Sequence, residues 1–247
     1  ALGGAMIALP IYLQMVLEYN AMEAGLSLAP LSLSMFGLSL LAARRAGKRR
    51  ASVVIRAGFA LVAAGMLLLL PIVPRADSGW DLVIPLVIAG SGLGLLVSQL
   101  NNYTLAPISE DRVSEAAGVN SAAGSFGLSF GLAFSGAIML ATLSVLFTHQ
   151  TDNSSVIPPA SQQQIADALQ DDAELMSNTQ LEQVLADEPE DVQQEVIDIN
   201  TDVRPRALQV ALLVPILAAL VGLFNGFRMV RIPEPKPSSS LEGMDWG

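Results

Sequence analysis

Apolar blocks of about twenty residues recur along this chain, each closed off by a short polar stretch, and that pattern leaves few folds open. A helix needs roughly 20 apolar residues to cross the hydrocarbon layer. It suits that layer because it satisfies its own backbone hydrogen bonds. Six blocks meet or approach this length: 1–17, 24–43, 52–73, 81–106, 117–147 and 207–229. The first is short, and we expect the chain to start inside or just before a helix. The expected fold is an all-α membrane protein, with six transmembrane helices forming one bundle and a short-helical extracellular loop. Charged residues make up only 15% of the chain, against about 25% in soluble domains.

The net charge of -10 is a local property. Residues 148–203 hold 13 acids and no Lys or Arg, whereas the rest carries 10 acids and 13 bases. Phosphate binding needs a basic surface, and this acidity argues against nucleic acid as a partner. Cysteine is absent, which removes disulfides and thiolate metal sites from consideration.

Orientation follows from Lys and Arg near the span ends. One side receives Arg44, Arg45, Lys48, Arg49 and Arg50, then Arg56, Arg112, Arg228, Arg231 and Lys236. The other receives Arg75, Arg204 and Arg206. The basic loop is therefore expected in the cytoplasm and 148–203 outside. Four regions follow: helices one to five over 1–147, an acidic non-cytoplasmic loop over 148–206, helix six over 207–229, and a disordered cytoplasmic tail over 230–247. Pro233, Pro235 and Pro237 mark that tail as extended.

Within the loop, Ile165, Ala168, Leu169 and Ala173 recur at helical spacing, and Val192, Val196 and Ile199 continue towards the last span. Short amphipathic helices with little core of their own are expected. Asn20 with Glu23, and Thr179 with Glu182, have capping-box spacing.

Polar side chains inside a bilayer are costly and mark candidate sites. The third and sixth spans are almost uniformly apolar, while the fourth and fifth are rich in glycine, serine and amides. Gln14, Gln99, Asn101, Asn102 and Asn120 are the candidates for lining a substrate cavity. Gly90, Gly94, Gly127 and Gly131 are read as helix-packing positions, with Gly127, Gly131 and Ser135 forming a small-xxx-small face. No Asp, Glu, His or Lys lies well inside a span. Glu18 sits at a membrane edge and reads first as a solvated turn carboxylate, and His149 as an interfacial residue. Asn153-Ser154-Ser155 fits a glycosylation pattern that is usually chance. No catalytic set, metal spacing or cofactor fingerprint occurs, so neither an enzyme, a cofactor nor a metal is expected.

Four stretches resemble a known family: YLQMVLEYNAMEAGLSLAPLSL (Tyr12 to Leu33), ARRAGKRR (Ala43 to Arg50), AGSGLGLLVSQLNNYTLAP (Ala89 to Pro107) and AAGVNSAAGSFGLSFGLAFSG (Ala116 to Gly136). Their order resembles the C-terminal half of a major facilitator superfamily transporter, specifically the fourteen-helix drug:proton antiporters of the EmrB/QacA type. The basic loop lacks the family's usual Asp, and Gly124 and Ser125 stand where Arg-Gln is often found.

The resemblance implies half of a two-bundle fold with a midplane site, each half built of inverted three-helix repeats. Spans one, two, four and five would line the cavity, and three and six would face lipid. It implies proton-driven efflux of hydrophobic or cationic small molecules by alternating access, in a bacterial cell membrane. The implied partners are the lipid bilayer, a small-molecule substrate and the N-terminal half of the same polypeptide. Two other readings are a membrane anchor displaying an acidic extracellular segment and, less well supported, an intramembrane enzyme.

Overall fold

The computed structural model describes residues 2–44, 50–105, 107–158, 178–186 and 188–229. Arg45, Lys48 and Arg49 of the basic loop, the helical pattern of 161–176, and the tail with Arg231 and Lys236 lie outside the described residues. Among the described residues all regular structure is helical. The helices are α1 (Leu2–Met15), α2 (Ala21–Arg44), α3 (Ala51–Ile72), α4 (Val83–Leu105), α5 (Val113–Asn153), the short α6 (Asn178–Val184) and α7 (Glu190–Met229).

Five of these are long and apolar enough to cross a membrane: α2, α3, α4, α5 and α7. Six spans were expected from the apolar blocks. The remaining block, 1–17, gives α1 over its described residues Leu2–Met15.

Glycine decides how the helices meet. α4 lies between α2 and α3. On one side Gly90 and Gly94 rest against the backbone of Leu31 and Met35 in α2. On the other, Gly92 rests against Gly58 and Val62, and Gly65 of α3 against Pro85 and Ala89. Apolar attraction between helices is weak in lipid, so close backbone approach across small residues is what makes such contacts adhesive. The second group is α1, α5 and α7, joined to the first where α3 packs on α7. Leu9, Leu13, Ile55, Met66, Leu69, Leu86, Leu208 and Leu212 fill the shared core.

Three serine hydroxyls in α2 and α4 are satisfied locally. Ser34 donates to the Leu31 carbonyl, Ser39 to Phe36 and Ser98 to Leu95. Serine thereby adds little polarity to a helix surface while remaining small.

In the segment away from the basic loop, α6 is a short helix, and the helices that flank it are long. α5 has 41 residues and α7 has 40, about 60 Å each and twice the hydrocarbon thickness. Both run past the expected span ends, α5 to Asn153 and α7 from Glu190. A second core forms there from Phe147, Ile157, Leu181, Leu185, Val192, Val196, Ile199 and Val203. The apolar stripe of Val192, Val196 and Ile199 thus continues α7 itself and packs on α5, so the extension has a core of its own. Two bonds tie the helices together, Gln150 to Asp202 at 3.0 Å and Ser154 to Glu195 at 2.7 Å. Thr179 and Glu182 both lie within α6.

Two outcomes follow from this packing. Gly92→Leu forces α3 from α4 and destabilises the solubilised protein by about 1–3 kcal/mol, seen as a lower melting temperature. Ala64→Leu, on the exposed side of α3, leaves it unchanged. In the extension, Leu181→Ala removes a fully buried side chain at a cost of about 2–5 kcal/mol, so protease cleaves near 178–186 faster while the membrane helices stay protected.

Candidate functional site

The sequence-selected amides fall at two levels of the bundle. α4 runs towards the basic loop and α5 runs away from it, so Asn101 near the end of α4 and Asn120 near the start of α5 stand at the same level. The Asn120 amide donates to the Asn101 side-chain carbonyl at 2.5 Å. Both ends of the pair are accessible, and α4 and α5 otherwise touch little. The bond therefore bridges a gap that packing leaves open. Gln99 is half-buried on the same end of α4. Of Asn102 only the backbone, in α4, is described.

Gln14 is elsewhere. It lies near the last turn of α1, at the end away from the basic loop, and its amide donates to the Pro10 carbonyl at 3.3 Å. The structure brings Asn101 and Asn120 together and leaves Gln14 apart.

The glycines separate as well. Gly90 and Gly94 lie in the α2–α4 contact, and Gly131 packs on Gly3 and Gly4 of α1. Gly127 has open space where a Cβ would stand. Ser135 is fully buried over Gly4, and its Oγ is the one buried side-chain polar atom without a partner among the described residues. The Arg44 and Arg50 side chains, flanking the basic loop, are exposed. Arg56 lies 5.3 Å from the Phe227 ring centroid, a cation–π contact that holds α3 to α7 near the same end.

Two faces of the bundle stay uncovered along its length. α2 exposes Met22, Leu26, Leu33 and Phe36. α5 exposes Val119 and a ladder of Phe126, Phe130 and Phe134, with ring centroids 6.0 and 5.4 Å apart. Exposed apolar patches of this size on a bundle mark contact with lipid, another protein surface or a ligand. The arrangement is one for binding: amides that donate and accept, aromatic area, and no ionised group among the sequence-selected residues.

The far end carries residues that the sequence patterns passed over. The Tyr12 hydroxyl donates to the Val73 carbonyl at 2.8 Å, and the Gly79 N–H donates to the Tyr19 hydroxyl at 3.0 Å. Gln209 donates to the Leu70 carbonyl at 2.6 Å. Ser78 and Asp81 form a capping box opening the turn before α4. The spacing Ser-x-x-Asp was there to be seen; the long-range tyrosine contacts leave no local signal.

The described helices define an integral membrane protein, an all-helical bundle with a polar junction between two of its helices. The family model of the Major Facilitator Superfamily matches residues 1–132, and the chain belongs to that superfamily. It is 24% identical over 155 residues to the probable actinorhodin transporter of Streptomyces coelicolor, covering 62% of this chain and 27% of that protein. It is 30% identical over 129 residues to the uncharacterized transporter YebQ of Escherichia coli K12, covering 52% of this chain and 28% of the relative. It is 30% identical over 161 residues to a multidrug resistance protein B homolog of Mycobacterium tuberculosis H37Rv, covering 64% and 28%. The chain thus spans 27–28% of the length of these relatives. No solved structure matches the chain significantly.

The amide pair makes a quantitative expectation. In a double-mutant cycle of Asn101→Ala and Asn120→Ala, unfolding in bicelles gives a coupling of about 0.6 kcal/mol and at most about 1.7. Additive effects would mean that the bond contributes nothing.

Proposed function

We propose that this chain is the C-terminal half of a transporter that exports hydrophobic or cationic small molecules by alternating access, driven by protons. The observation that carries this reading is the Asn101–Asn120 junction, a polar contact between α4 and α5, in a bundle whose α2 and α5 faces the chain leaves uncovered. Such faces suit a second bundle and a cavity between the two. The superfamily and the names of the relatives support transport of drug-like compounds.

In this reading the substrate contacts Asn101 and Asn120, with Gln99 and Asn102 next to them on α4, and Gln14 lines the cavity at a separate level. Gly90, Gly94 and Gly131 hold the helices close, and Gly127 does so against the other half. The basic loop of Arg44, Arg45, Lys48, Arg49 and Arg50 faces the cytoplasm of a bacterial cell, and the acidic segment 148–206 faces outside. The proton-carrying carboxylate belongs to the N-terminal half.

The folded outer extension gives the anchor reading one observation of its own, the separate core around Val196. Mutation distinguishes the two. In the full-length protein, Asn101→Leu or Asn120→Leu lowers efflux of a lipophilic cation such as ethidium by about tenfold, the effect of losing roughly 1.4 kcal/mol of binding. Asn225→Leu, where the amide only donates to the Val221 carbonyl of its own helix, leaves efflux unchanged. Equal tolerance at all three positions removes the transport reading, and loss of function only on deletion of the outer extension favours the anchor.

A further inference from the structure

The turn between α1 and α2 holds a residue that its backbone does not favour. Glu18 has φ +52°, in the left-handed region where glycine or asparagine is the low-cost residue. The chain reverses there, with the Tyr19 N–H reaching back to the Leu13 carbonyl at 3.0 Å. Glu18 is exposed, so its side chain fills no gap in the core.

Leu17 and Tyr19, on either side of Glu18, pack on the core that includes Ala207 and Leu208 of α7, and Arg204 of α7 is only 9% exposed. It sits where α7 enters the main core through Ala207 and Leu208. The Glu18 carboxylate is the opposite charge acting on its guanidinium. Taking a guanidinium out of water is costly and is tolerated when opposite charge stands near. A strained backbone and a withdrawn cation therefore meet at one place. Residues held in sparsely populated conformations persist where the surroundings over-determine them, and they gather at clamps and switches. Here the surroundings are the tyrosine and Gln209 bonds that bind α1, the α3–α4 connection and α7 into one end-plate.

We infer that Glu18 and Arg204 form a charged latch that seats the α1–α2 turn on α7 and sets the closed position of this end of the bundle. For its consequence in transport the latch rests on the reading above, in which this end is the outer mouth. The two residues are positioning residues: they act through the placement of α1 and α7 and touch no substrate. Loss of the carboxylate removes that opposite charge from a buried cation, and the turn lifts so that the guanidinium gains water.

The test uses the full-length protein with any cysteines outside this chain replaced, since the chain itself has none. Ala207→Cys, one turn past Arg204 and 1% exposed, reports opening through labelling by a membrane-impermeant maleimide. Glu18→Asn and Glu18→Gly both relax the backbone while removing the charge. The latch predicts labelling at least about fivefold faster in either variant, the effect of about 1 kcal/mol of lost closure. It also predicts a melting temperature no lower than the parent's and restored slow labelling in the Glu18→Arg/Arg204→Glu exchange.

Unchanged labelling in both single variants overturns the latch, as does labelling in the exchange as fast as in the singles. Ethidium efflux adds the functional readout: the maximal rate of Glu18→Asn falls by about threefold or more with KM within about twofold, as expected when closure and not binding is lost. A rate and KM both like the parent's overturn the positioning role. If the parent moves no substrate, the transport reading fails by itself, and the labelling still decides the latch.

Discussion

The close approach of α4 to α2 on one side and to α3 on the other is the contact on which the rest of the bundle depends. In a bilayer, hydrophobic attraction between helices is weak, because lipid tails are as apolar as leucine side chains. Adhesion then comes from dispersion between backbones brought near each other. Gly90 and Gly94 face α2, and Gly92 faces α3. A β-carbon at any of them would meet the neighbouring backbone, so the spacing of glycine along α4 sets the distance of two neighbours at once. With α4 fixed this way, Asn101 at its far end is carried to the level of Asn120 in α5.

A different logic governs the end away from the basic loop. There the helices leave the hydrocarbon and become ordinary amphipathic helices, held by a water-excluding core around Val196, Phe147 and Leu181 and by side-chain bonds such as Ser154 to Glu195. Hydrophobic burial, weak as glue within the membrane, is the main driving force here. The chain thus passes along α5 and α7 from one adhesive principle to another without a break in either helix.

Much of this was legible in the sequence, and the reasons are physical. Span length is fixed by bilayer thickness, so each of the five long helices is built on one of the apolar blocks, which need no tertiary information. The Asn20–Glu23 capping box was also readable, since its reciprocal bonds depend on three residues of local spacing. Membership of the superfamily followed from ordered stretches, three of which the family model covers in full and the fourth as far as Leu132.

Other features were not readable. The stripe of Val192, Val196 and Ile199 was visible, but its partner Phe147 lies on another helix, so the core they form was not. Gly127 and Gly131 look alike in sequence, yet only Gly131 meets α1. The tie of Tyr12 to Val73 spans 61 positions, and no local pattern encodes a contact at that distance. Gln14 and Asn120 share a chemistry but not a level, which a list of amides does not reveal.

The uninterrupted course of α5 and α7 has a mechanical meaning. Two side-by-side struts clamped at their tips by a packed cap behave as one stiff lever whose fulcrum is the glycine-lined contact of α5 with α1. A small tilt at the fulcrum becomes a larger sweep at the tips, and a load applied to the cap returns to the helices as torque. The acidic cap is therefore a handle on the bundle as well as its cover.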